Sequence, residues 1–201
     1  MKKVSLLLIA LLLISSAALA QTLSQADQDK GLQYLQQTRD GVVSAAKGLS
    51  EAQLKFKPAP DRWSIAEVLE HIALAEDYIF GNLTNNIMKA PAGPADRDTA
   101  KLDAMVQAAL PDRSHKVQAP GPLVPNGRWT ASESLDHFLK SRAKTIDFLQ
   151  STPDVRAHVS SENPFQQPLD GYEWLLFIAG HSERHTKQIL EVKADPNFPK
   201  S

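Results

Sequence analysis

Asp170–Lys193, which reads DGYEWLLFIAGHSERHTKQILEVK, is the most informative stretch of the chain. It contains no proline, and its apolar side chains recur at the spacing of one helix face. The residues that define this face are Trp174, Leu175, Ile178, Ile189 and Val192. Asp170 and Glu173 form a predicted capping box at the start. The stretch therefore predicts a long helix with one side in a protein core.

Three further windows share these properties. Proline disrupts helix interiors, and the 13 prolines of the chain leave four windows without proline. Besides residues 169–195, which hold the stretch above, these are residues 21–57, 61–90 and 126–152. Capping boxes begin at Ser64 and Thr130, each followed three residues later by glutamate. Apolar residues recur at helical spacing in each window, and no useful strand alternation is found. The chain is predicted to be all-α, with four long helices in one four-helix bundle.

The predicted helices are joined by connections of very different length. About fifteen residues, Leu49–Trp63, link the first and second helices, whereas about forty, Ala90–Trp129, link the second and third. The longer connection holds six prolines and one amphipathic piece, Thr99–Leu110, which we expect to be a short helix. A crossover of this length allows the second and third helices to run parallel.

Composition excludes several kinds of chemistry. The 201 residues contain no cysteine, which rules out disulfides, thiolate nucleophiles and cysteine-ligated zinc. A formal net charge of −1 argues against nucleic acid as a partner, because such proteins carry a basic surface. Any catalysis must use histidines, carboxylates, hydroxyls or a metal held by nitrogen and oxygen.

Met1–Ala20 has the pattern of a secretory signal peptide. Two lysines precede the apolar run Leu6–Ile14, and small residues follow it. Removal before Gln21 leaves residues 21–201 as one domain with a net charge of −3, because the segment holds two basic and no acidic residues. We expect a periplasmic or secreted protein without membrane contact after cleavage. A retained membrane anchor is the alternative interpretation.

His181 and His185 lie four residues apart on the apolar face of the last helix. Two histidines at this spacing can share one metal ion. His71 falls at the edge of the buried face of the second helix and could meet them across the bundle. Three neutral imidazoles that leave positions open to water are typical of catalytic zinc sites. A hydrogen-bonded core histidine pair is the alternative interpretation.

Other titratable residues give weaker signals. His115, His137 and His158 are expected to be exposed. Glu76 lies within the apolar face of the second helix, where it could orient a ligand or water, or reach out to the rim. Glu183 lies opposite the histidines and is a poor candidate for a general base. Packing in the core or in a hydrophobic staple is expected for the aromatic residues Trp63, Tyr78, Tyr172 and Trp174, and lining of a pocket is the alternative interpretation.

Two segments resemble the DinB/YfiT-like superfamily. They are Arg62–His71 (RWSIAEVLEH) and His181–Ile189 (HSERHTKQI), and the resemblance extends over Leu23–Lys193. It implies an up-down-down-up bundle that holds a divalent metal, such as zinc, nickel or iron, through His71, His181 and His185. Characterised members include transferases and isomerases that use small thiols, and dimers are common, so a homodimer is a further expectation.

The leading functional hypothesis is an exported metal-dependent hydrolase or transferase acting on a small-molecule substrate, since a metal ion can activate water. One alternative is a non-enzymatic bundle that binds a metal or a ligand. Another is a thiol-dependent S-transferase, although the predicted export separates this chain from the cytoplasmic thiols of its relatives.

Overall fold

The computed structural model describes residues 22–94 and 96–200. The predicted signal peptide Met1–Ala20 lies outside them. The helices are α1 (Gln25–Ala46), α2 (Glu51–Lys55), α3 (Ile65–Asn85), α4 (Thr99–Ala109), α5 (Ala131–Ser151) and α6 (Gly171–Lys193). Short 3₁₀ helices cover Ile87–Lys89 and Gly121–Leu123. Strands β1 (Val159–Ser160) and β2 (Leu169–Asp170) form an antiparallel pair.

The four predicted helices are α1, α3, α5 and α6, and the four-helix bundle is confirmed. The capping boxes that begin at Ser64, Thr130 and Asp170 all form, with each cap side chain and its glutamate bonded reciprocally. Helix α4 corresponds to the short helix expected in the crossover. Helix α2 and the β1–β2 pair were not predicted, because elements of five and two residues are too short to show a period.

Two apolar clusters fill the bundle, and together they give the direction of each helix. The first joins Val42, Ile65, Phe138 and Ile189, with their neighbours, near one end. The second joins the residues Leu35, Leu83, Leu149 and Leu175 toward the other end. Residue numbers rise toward the first cluster in α1 and α6 and fall toward it in α3 and α5. The helices α3 and α5 therefore run parallel, and residues 86–130 carry the chain back between them.

The start of α6 is fixed to the crossover by ion pairs. Arg97 donates to Asp170 at 2.9 Å and to Glu173 at 2.6 Å, with both carboxylates fully buried. Arg156 adds contacts to Asp170 at 3.0 Å and to Asp103 on α4 at 2.7 Å. These contacts hold α4 and the chain before it against the first turn of α6. Among the described residues, no helix combines the length and apolarity needed to cross a membrane.

A fully buried arginine lies between the two apolar clusters. Arg142 on α5 binds the carboxylate of Glu76 on α3 through Nε and Nη2, at 2.7 and 2.8 Å. Nη2 also donates to the Ser182 hydroxyl on α6, and Nη1 to the Leu35 carbonyl and the Thr38 hydroxyl on α1, all at 2.8 Å. All five guanidinium N–H groups have acceptors, and this α5 side chain binds the other three long helices.

Both expectations for Glu76 are therefore wrong. Its side chain is 1% exposed, so it does not reach the rim, and both of its oxygens bind Arg142 rather than a histidine. It is held by Arg142 and by the Thr145 hydroxyl, which donates at 2.8 Å. Tyr78 is likewise not a core residue, because it is 55% exposed.

We expect Arg142→Met to lower the free energy of unfolding by about 3–5 kcal/mol, because the substitution leaves the Glu76 carboxylate buried without its partner. The double variant Arg142→Met/Glu76→Leu should be more stable than the single one. The hydroxyls of Thr145 and Ser182 also donate to carbonyls of their own helices and keep those bonds. Urea unfolding measures both values.

Arg39→Met is the matched control, since Arg39 lies at the surface beside Asp40. An exposed pair of this kind contributes about 0–1 kcal/mol. A loss for Arg142→Met no larger than that of Arg39→Met would contradict the role assigned to the buried pair.

Candidate metal centre

Three histidines from two helices converge in the bundle. His71 on α3 lies opposite His181 and His185 on α6, and one nitrogen of each ring lies within 4.8 Å of the others. The His71 and His185 Nε2 atoms are 3.1 Å apart. Two nitrogens that each lie about 2.0–2.1 Å from one zinc ion are separated by roughly 3.0–3.4 Å. The spacing of this pair suits a shared ion.

Hydrogen bonds behind the rings fix which nitrogens point inward. His71 Nδ1 lies 2.8 Å from the Leu123 carbonyl, and His185 Nδ1 lies 2.8 Å from the Gln188 side-chain oxygen. An oxygen accepts, so each Nδ1 carries the proton and donates it. In the neutral rings both Nε2 atoms then present lone pairs to each other. A cation between them relieves this repulsion, and the donor set therefore fits a metal.

Burial keeps the three rings neutral. It lowers the pKa of His71, a shift partly offset by the bond to Leu123. The pKa values of His181 and His185 are held well below the usual range, first by burial and then by the neighbouring imidazoles. A neutral imidazole is the form that ligates metals. The site is thus ready to bind an ion without first losing protons near neutral pH.

The site has one covered and one accessible side. The Trp63 ring packs 4.8 Å from the His71 ring, measured between centroids. His185 is 8% exposed, whereas His181 keeps a larger part of its surface in contact with solvent. The guanidinium of Arg184, the residue before His185, donates to the Asp112 and His115 carbonyls of the crossover. Of the three rings, His181 is therefore the one most open to solvent.

The remaining candidates lie elsewhere. His115 is exposed as expected, whereas His158 is only partly exposed, with its Nδ1 2.6 Å from the Ala90 carbonyl oxygen. His137 is only partly exposed, because it pairs with Asp77 at 2.6 Å and stacks on Trp129. Glu183 points away from the histidines, as predicted from its position, and accepts from the Tyr34 hydroxyl and the Lys187 ammonium.

Two groups that orient the rings were missed in the sequence. Gln188 lies three residues after His185, a spacing that places both side chains on neighbouring positions of one helix, so this contact could have been found. The Leu123 carbonyl lies 52 residues beyond His71 in the crossover, and no local pattern in the sequence marks it.

The fold resembles that of a solved structure. YfiT from Bacillus subtilis, described as a probable metal-dependent hydrolase with an unusual four-helix bundle topology, superposes with a TM-score of 0.54 at 14% identity. The superposition covers 89% of this chain and 93% of YfiT. At this identity the likeness shows a shared fold.

Sequence comparison extends the likeness. YuaE, an uncharacterised protein of Bacillus subtilis (strain 168), is 26% identical over 148 residues, or 73% of this chain and 87% of YuaE. The profile of the DinB superfamily matches residues 34–189, a span that includes all three histidines of the site. This chain belongs to the DinB superfamily.

Proposed function

We propose that the protein binds a divalent metal ion through His71, His181 and His185 and acts as a metal-dependent hydrolase or transferase on a small substrate. The observation that carries the proposal is the pair of Nε2 lone pairs that face each other across 3.1 Å while both Nδ1 protons are engaged elsewhere. The description of YfiT as a probable metal-dependent hydrolase supports the same class.

The side chains of this site have distinct tasks. When bound, the ion supplies a Lewis acid that polarises a substrate oxygen and acidifies water. The Leu123 carbonyl and the Gln188 amide orient the His71 and His185 rings by holding their Nδ1 protons. Trp63 shields the His71 side from water, whereas the partly exposed face of His181 admits the substrate.

The number of protein ligands favours catalysis over a purely structural ion. Within the described residues the cluster has three histidines and no carboxylate. Structural zinc sites close their coordination shell with four protein ligands, whereas catalytic sites keep a position for water or substrate. Three-histidine ligation suits zinc, nickel and iron, so the identity of the ion has to be measured.

His71→Ala, His181→Ala and His185→Ala should each abolish stoichiometric metal binding, because two imidazoles alone hold a divalent ion weakly. Elemental analysis of protein purified from its native compartment measures this and also identifies the ion. His137→Ala is the control, since that ring pairs with Asp77 outside the site. Full metal content in the three site variants, or none in the unaltered protein, would refute the proposal.

Hydrolysis of small esters, amides and phosphoesters should follow metal content across the same variants. Chelation should remove activity, and the ion found by elemental analysis should restore it. Loss of thermal stability on chelation, with no activity toward any of these substrates before it, would instead identify the bundle as a non-enzymatic metal-binding protein.

The metal-free protein should lose stability as the pH falls below about 6.5, the ordinary pKa of histidine. The folded state holds the pKa values of His181 and His185 well below that value. The unfolded chain therefore takes up protons first, which favours unfolding. Urea unfolding in the presence of a chelator at pH 7.5 and pH 5.5 measures the loss.

The double variant His181→Gln/His185→Gln is the reference for this experiment. Subtracting its pH dependence from that of the unaltered protein cancels the contribution of the carboxylates. The remaining slope should be positive, with stability rising with pH between these two values. Equal slopes in the two proteins would show that the rings are not buried in the neutral form.

We further propose that the protein is exported and that the mature chain begins at Gln21. The signal-peptide pattern of Met1–Ala20 supports this proposal. Mass spectrometry of the protein from fractionated cells should find a mature N-terminus at Gln21 in the periplasmic or secreted fraction. A full-length chain in the cytoplasm would contradict this.

A further inference from the structure

We propose that Glu70 is a positioning residue for the metal site, which it serves by holding the crossover segment that fixes the tautomer of His71. The proposal rests on the metal site described above. It assigns a task to a buried carboxylate that is neither a ligand nor part of the Arg142 pair.

Glu70 is 2% exposed and is not part of the three-histidine cluster. Its carboxylate accepts three successive backbone N–H groups of the crossover, from Asn126 at 3.1 Å, Gly127 at 3.0 Å and Arg128 at 3.3 Å. The Arg128 side chain adds an ionic contact at 3.5 Å. A buried carboxylate needs such donors, and here all three belong to a segment without regular secondary structure.

The backbone of this segment is shaped for the carboxylate. Gly127 has φ +75°, a value that side-chain-bearing residues rarely adopt. A left-handed residue among successive N–H groups turns them toward a common point, and this arrangement binds anions. Glu70 supplies that anion from the neighbouring helix. The segment after Leu123 is therefore anchored to α3 one residue before His71.

The anchored segment carries the acceptor for His71. Leu123 ends the 3₁₀ helix Gly121–Leu123, and its carbonyl lies 2.8 Å from His71 Nδ1. Three residues later the chain is bound by Glu70. The carboxylate thus limits how far the Leu123 carbonyl can move away from the ring. The Leu123 side chain, which packs in the core, supplies the other restraint.

The tautomer matters because the site has two states. With Nδ1 bonded to Leu123, His71 Nε2 is free to bind a metal. If that bond is lost, the proton can move to Nε2, which can then donate to His185 Nε2 at 3.1 Å. The second arrangement gives both Nε2 atoms a hydrogen bond without an ion, although His71 Nδ1 then has no bond to Leu123, and it competes with metal binding. Glu70 favours the metal-binding arrangement.

The test is the Glu70→Gln variant, which keeps the shape of the side chain but replaces one acceptor oxygen with a donor. The tautomer of each histidine is measured by ¹⁵N–¹H NMR of the ring nitrogens in the metal-free protein at pH 8. We expect His71 to change from the Nδ1–H form to a mixture. His185 should keep its Nδ1–H form, because Gln188 is untouched.

Glu133→Gln is the matched control, since Glu133 serves the α5 capping box at the surface, where it bonds to Thr130, whereas the N–H groups of Asn126, Gly127 and Arg128 donate to Glu70. Gly127→Ala gives an independent variant from the loop side. A Cβ at Gly127 meets no atom within 4 Å, so the substitution acts through the φ angle alone. It should change the His71 tautomer in the same direction as Glu70→Gln.

Metal affinity is the second measurement. Loss of a group that orients a ligand typically costs about 10–100-fold in affinity, and we expect a zinc Kd increase of this size for Glu70→Gln and no change for Glu133→Gln. An unchanged His71 tautomer in folded Glu70→Gln and Gly127→Ala would overturn the proposal. If the unaltered protein binds none of zinc, nickel and iron, the proposed function fails, while the tautomer result still decides the role of Glu70.

Discussion

One guanidinium group determines how the four long helices fit together. Arg142 uses every N–H donor, and its acceptors come from α1, α3 and α6. Ser182, one of these acceptors, lies between His181 and His185, and Glu76 lies five residues after His71. The same contacts that neutralise a buried charge therefore fix the position of α6 along the axis of α3. The convergence of the three histidines depends on that alignment.

The histidine cluster shows how a bundle can prepare a metal site before the ion arrives. Burial disfavours the charged imidazoles, and oxygen atoms behind two of the rings hold the protons on the outer nitrogens. The inner nitrogens are left without donors, an arrangement that suits the binding of a metal ion. The ligands come from rigid helices, whereas one of the two orienting oxygens comes from the crossover.

Much of this structure could be predicted from the sequence, because helix boundaries and buried faces follow local rules. Proline-free windows and capping boxes located the long helices, and helical spacing placed His181 and His185 on one face. Arg142 interrupts the apolar face of α5, four residues after Phe138, and Glu76 interrupts that of α3. Opposite charges on two apolar faces were the available signal for a buried ion pair. Which buried charge meets which, and which carbonyl meets His71, depends on packing between distant segments and has no local signature.

The parallel course of α3 and α5 also bears on how the chain folds. Neighbouring helices in an up-and-down bundle meet soon after synthesis of a short loop, but here residues 86–130 separate the pair. The Arg142 contacts to Glu76 and Leu35 span 66 and 107 residues. Contacts between such distant positions require closure of large loops before they contribute stability. This bundle should fold more slowly than an up-and-down bundle of equal length, despite being almost entirely helical in its core.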